Sequence, residues 1–132
     1  MPLTPIANRV SWACQLVAAL ILLQTLFFKF TGAAESVYIF ETLGAEPWGR
    51  YLSGIAELVA ALMLLVPGMA ALGGALGAGV MVGAIGSHLT KLGIDVQGDG
   101  GLLFGMACVV FLCCVLVVFL RRDSLPIIGG RS

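Results

Sequence analysis

Charge is what this sequence has least of. Only 11% of its residues are charged, as seven basic and seven acidic side chains. Soluble domains carry about twice that share. Charges so few and so balanced leave no basic stripe for nucleic acid and no acidic tail. Histidine occurs once, at His88, so no bis-His pair is written for haem. No flavin or nicotinamide fingerprint is present. The four cysteines, Cys14, Cys108, Cys113 and Cys114, form no C-x-x-C pair, which argues against a zinc site or a thioredoxin-like motif. All four lie in apolar runs, where a free Cys is first of all a small packing residue. No metal ligand and no catalytic group is assigned from the sequence.

What is there is hydrocarbon. Hydrophobic residues make up 60% of the 132-residue chain, and the mean hydropathy is +1.08. Four apolar runs stand out, at about 10–28, 48–66, 69–89 and 102–120. A helix needs roughly 20 apolar residues to cross a hydrocarbon core of ~30 Å. None of the runs has the polar face that a water-soluble bundle requires. In lipid each backbone must satisfy itself, which favours helices. The expectation is one all-α domain, a polytopic membrane four-helix bundle.

Turn residues mark the boundaries. Pro67-Gly68 separates the second and third runs with almost no loop, and Gly98-Asp99-Gly100-Gly101 leads into the fourth. Residues 33–43 set Val37, Ile39, Phe40 and Leu43 beside Glu35 and Glu41. That pattern predicts a short helix lying at the membrane interface between the first two spans. Thr31-Gly32-Ala33 offers a small-residue cleavage pattern, but the first run is long for a signal peptide and carries Gln15 and Gln24. It reads as a retained span.

With four spans, Arg9, Arg121, Arg122 and Arg131 share one side. Lys29, Arg50 and Lys91 lie on the other, with Glu35, Glu41, Glu46, Asp95 and Asp99. The basic excess puts both termini in the cytoplasm. The third span holds Gly73, Gly74, Gly77, Gly79, Gly83 and Gly86. Gly73/Gly77 and Gly79/Gly83 are G-x-x-x-G pairs, a spacing that lets helices approach closely in lipid. Both pairs, with Gly101/Gly105 of the fourth span, are expected at helix contacts, within the chain or in a homodimer.

Ionisable residues inside spans are costly and mark candidate sites. Glu57 lies ~13 Å along the second span from Trp48, near the bilayer midplane. Arg50, Ser53 and Glu57 fall on one helical stripe, and Arg50 is expected to point toward Glu57, bridged by Ser53 or water. His88 lies ~28 Å along the third span, an offset that argues against its touching Glu57. Gln24 and Lys29 at the end of the first span, Lys91 beyond His88, and Asp99 before the fourth span complete a polar group in the outer half. Glu57, His88, Arg50, Gln24, Lys29, Ser53, Lys91 and Asp99 are thus the candidate ligand-binding residues of an outward-facing pocket.

The order of several motifs resembles the DoxX family of small bacterial membrane proteins. Its carriers are Phe40-x-x-Leu43-Gly44, Pro47, Gly54-x-x-Glu57, Leu64-Leu65-Val66-Pro67-Gly68, His88, Asp99-Gly100-Gly101 and Arg121-Arg122. The resemblance runs from Val10 to Arg122. It implies a four-helix bundle in the bacterial inner membrane. It also implies a quinone-linked redox or redox-homeostasis subunit, with a partner oxidoreductase subunit as one expected partner and Glu57 and His88 as functional positions. The residues alone supply no oxidoreductase, so redox work would need a bound quinone or a partner subunit. A binding or transport-like protein for a small solute or lipid, and a structural assembly partner, are the competing readings.

Overall fold

A computed structural model describes residues 4–96 and 98–122 of the chain. Among these residues the protein is all-helical. Helix α1 (Pro5–Thr31) starts where Thr4 Oγ1 accepts the Ala7 N–H at 3.1 Å, with Pro5 in the first turn. Both are start signals with a mechanism: an orphan donor is satisfied, and proline needs none. It stops at Gly32, whose φ of 73° lets its N–H return to the Phe28 carbonyl. Helix α2 (Ala34–Thr42) is the expected short helix. Helix α3 (Trp48–Leu64) follows, then a 3-10 turn at Pro67–Met69. Helix α4 (Ala70–Ser87) runs into a single π turn, His88–Leu92. Helix α5 (Leu102–Leu120) closes the described chain.

Three of these are long and apolar enough to cross a membrane: α1, α4 with its π turn, and α5. Helix α3 has 17 residues, or ~25 Å at 1.5 Å per residue. It ends two residues before the expected limit at 66 because Pro67 cannot continue it. Arg131, counted for sidedness, lies outside the described residues.

The helices pack in a closed ring. Helix α1 lies against α3 and α5, and α4 lies against the same two. Small side chains fill the inside: Ala18, Ala19, Ala60, Ala61 and Ala70 are buried, with Leu22, Leu64, Val110 and Val117. Large ones face out, among them Leu20, Phe27, Leu52, Leu112 and Phe119. A soluble core sorts the other way. Small-inside, large-outside suits helices that gain by close contact while hydrocarbon surrounds them.

Glycine sets the spacing in only one half of α4. A Cβ on Gly73 would stand 2.8 Å from the Leu64 nitrogen, and one on Gly74 would stand 2.9 Å from the Cys114 carbonyl oxygen. At Gly77 it would meet Cys114 Sγ at 2.8 Å. Cys114 is accordingly a buried packing residue. Gly79 and Gly83, expected at a helix contact, have no heavy atom within 4 Å of that position. The reason is the face they occupy: both lie on the exposed side of α4, away from that of Gly73, Gly74 and Gly77. Beyond Gly77 the ring encloses a cavity.

Candidate functional site

That cavity has a volume of about 520 Å³ and receives residues from all five helices. Helix α2 covers it with Ser36, Ile39 and Phe40, and Ala107 and Val110 of α5 stand at its deeper end. Gln24, Lys29, Ser53, Glu57 and His88 line it. Five of the eight expected residues therefore meet in one place.

Its polar centre is an ion pair. Lys29 Nζ donates to Glu57 Oε2 at 2.7 Å, with both side chains largely buried. Close approach of α1 and α3 makes the pair possible. Gly54 provides it, since a Cβ there would press on the Phe30 ring at 2.9 Å. Phe30 in turn stacks on Tyr51. The Lys29 ammonium also lies 6.0 Å from the Phe40 ring centroid, within reach of a cation–π attraction. Glu57 Oε1 is buried and has no hydrogen-bond partner among the described residues.

Arg50 does not reach Glu57, contrary to the stripe argument. Its Nε and Nη2 grip the two carboxylate oxygens of Glu46, at 2.8 and 2.9 Å, and Nη1 donates to the Lys29 carbonyl. A planar guanidinium favours that bidentate partner one turn away. The bond from Arg50 holds the Glu46 carboxyl below its ordinary range. Arg50 thus ties the end of α1 to the start of α3. Ser53 Oγ donates to the Arg50 carbonyl at 3.3 Å, so it bridges nothing to Glu57.

His88 is buried, and its Nδ1 lies 3.0 Å from the Gly93 carbonyl oxygen. A carbonyl only accepts, so Nδ1 is the donor in this contact. The ring meets Phe104 edge-on at 5.6 Å. As the offset along the helices predicts, His88 and Glu57 bond to different partners, and one cavity touches both.

Besides Arg50, two expected residues stand outside the cavity. Lys91 is exposed in the π turn. Asp99 is a cap: Oδ1 accepts the Val96 and Gly101 N–H groups, and Oδ2 accepts that of Leu103. Burial pushes the Asp99 carboxyl up, but the Gly101, Leu103 and Val96 donors outweigh it, and the net direction is down.

Sequence reasoning missed a second polar cluster at the opposite end of the ring. Arg121 Nε donates to Ser11 Oγ at 2.7 Å and to Gln15 Oε1 at 2.8 Å, and Nη2 donates to Asn8 Oδ1 at 2.8 Å. Gln15 Nε2 then donates to the Leu64 carbonyl at 2.7 Å, satisfying an orphan acceptor at the end of α3. The signal was present, since Asn8, Ser11 and Gln15 share the i, i+3, i+7 spacing of Arg50, Ser53 and Glu57. Ser36, buried over the cavity, gave no such signal within its short helix. No family model, no curated protein and no solved structure matches this chain.

Proposed function

We propose that the chain is a four-helix membrane bundle of the DoxX type that binds a quinone-class head group in the cavity beside Lys29 and Glu57. In this reading α3 is the fourth span, and α2 lies at the surface over the ligand. Exposed Trp48 and Tyr51 at the start of α3 are the residue types that sit at headgroup level. Both termini are cytoplasmic and the cavity lies toward the far side of the bacterial inner membrane. The protein then serves as a quinone-linked redox or redox-homeostasis subunit.

The observation that carries the reading is Glu57 Oε1. It is a buried carboxylate oxygen without a hydrogen-bond partner among the described residues, next to a cavity of about 520 Å³. An unsatisfied buried acceptor costs ~1–3 kcal/mol, and more when charged. A hydroquinone O–H would satisfy it. Lys29 carries three N–H donors and gives one to Glu57, which leaves donors for a quinone oxygen. The surrounding Leu22, Phe40 and Met81 offer apolar contact to a flat ring. When bound, the quinone supplies the electron chemistry. Glu57 is the group suited to exchange a proton with the ring oxygen.

The test is titration of the protein in nanodiscs with a tailless, methyl-substituted hydroquinone, read by calorimetry. Saturable binding is expected, weakened about tenfold in Glu57→Gln, as fits the loss of a charge-assisted hydrogen bond. Helix content of the variant is checked by circular dichroism. Absence of saturable binding, or equal binding by a folded Glu57→Gln, overturns the reading.

A further inference from the structure

A second concavity adjoins the first. It is a groove of about 510 Å³ on the outer side of α1 and α5, running from Asp99 and Gly100 to Val109. Ile21, Leu102 and Met106 border both spaces. The border that the two spaces share is therefore made of three apolar side chains, with no polar group among them. On α5 the groove follows Leu102, Gly105, Met106 and Val109, one helical face. It is ~10 Å long from Leu102 to Val109 at 1.5 Å per residue.

Gly105 is the notch in that face. Elsewhere α5 turns large residues outward, including Leu102, Val109, Leu112 and Phe119. Gly105 is exposed, and no heavy atom stands within 4 Å of where its Cβ would be. It does not bring another helix closer, as Gly73 does. A glycine weakens a helix relative to any larger apolar residue, and here no internal contact offsets the loss. What it provides is room on the surface.

We infer that the ligand enters the cavity sideways from the lipid, between α1 and α5, and that a single long apolar tail lies in the groove over Gly105. This rests on the reading of the cavity given above. The unpartnered Glu57 Oε1 fixes the polar end of the ligand, and the groove that shares Ile21, Leu102 and Met106 with that cavity takes its apolar end. One groove accommodates one chain, which favours a single-tailed amphiphile such as a prenylated hydroquinone over a two-tailed lipid. Small aqueous solutes would need no such seam.

The test uses Gly105→Leu, which fills the groove and leaves the cavity intact. Because nothing packs on Gly105, the variant is expected to fold, and Gly79→Leu serves as a control on an open face of α4. Two probes are titrated in nanodiscs: the tailless hydroquinone and the same head carrying a ten-carbon chain. Gly105→Leu should weaken the tailed probe at least tenfold and leave the tailless probe within twofold. Gly79→Leu should change neither. A tailed probe bearing a photoreactive group at its tip should label α5 peptides containing residues 105–109. Equal binding of the tailed probe by Gly105→Leu, or labelling confined to α3 or α4, overturns the side entry while the cavity reading stands. Failure of the tailless probe to bind the unmodified protein overturns the cavity reading, and this inference with it.

Discussion

At the end of the ring where α1 begins and α5 finishes, Arg121 donates to three neutral side chains, Asn8, Ser11 and Gln15. At the opposite end, Lys29 faces a buried carboxylate, Glu57, and leaves one of its oxygens unpaired. The first cluster is knitted further into the backbone through the Leu64 carbonyl. The second borders a cavity. The glycines of α4 divide as well: a Cβ on Gly73, Gly74 or Gly77 would press on a neighbour, whereas one on Gly79, Gly83 or Gly86 would meet no heavy atom within 4 Å. One end is closed and internally satisfied, and the other is held open with hydrogen-bonding capacity to spare. A polar network that only fixed helix packing would have no reason to leave an acceptor unmet.

The largest effect should come from splitting the ion pair. Lys29→Met strands the Glu57 charge, and removing one partner of a buried pair costs ~3–5 kcal/mol. The double variant Lys29→Met, Glu57→Met should recover most of that stability while abolishing hydroquinone binding. Chemical unfolding in micelles, followed by circular dichroism, measures the first outcome, and calorimetry the second. A double variant as unstable as the single one would mean that the pair is not an isolated unit.

Next in size is the closed end. Arg121→Leu removes charge-assisted bonds worth ~1.5–3 kcal/mol, so a loss of about 2 kcal/mol is expected with ligand binding unchanged. Altered binding would show that the two ends are coupled. Glycine offers a sharper contrast. Gly73→Ala puts a Cβ where backbone already stands, and overpacking costs ~1–3 kcal/mol. Gly79→Ala meets open space and should be neutral or gain up to ~1 kcal/mol from helix propensity. Equal thermal stability of the two variants would erase the distinction between the halves of α4.

The smallest effect concerns the loop into α5. Asp99→Ala should cost about 1 kcal/mol, the usual value of a lost cap. The Asp99 carboxyl is held below its ordinary value in the folded protein. Its stabilisation is therefore present above the unfolded carboxylate range and is lost as pH falls through that range to the folded value. Stability against pH should be flatter in Asp99→Asn than in the unmodified protein on the acid side, and parallel curves would contradict the cap.

Much of this was legible beforehand, and the misses have physical causes. The α2 helix, Ala34–Thr42, and the break at Pro67-Gly68 follow from local patterning and turn chemistry. The polar cast of the cavity was named because a charge in an apolar run is conspicuous. Its pairing was not. Arg50 shares a stripe with Glu57, yet Glu46, also one turn away, offers both oxygens to the guanidinium. The Arg121 cluster was missed because Asn8, Ser11 and Gln15 are uncharged, and Arg121 had been counted only as a marker of sidedness.

By itself, the sequence determined that this chain is helical and carries too little charge to live in water. Hydropathy and turn chemistry act over a few residues, so they survive without a fold. Only the tertiary structure decided that Glu57 takes Lys29, 28 residues away in sequence, and that three of the six α4 glycines pack while the other three stand open. Those outcomes depend on how each helix is rotated against its neighbours and on where the ring parts. No local pattern encodes that, because it is settled by all four long helices together.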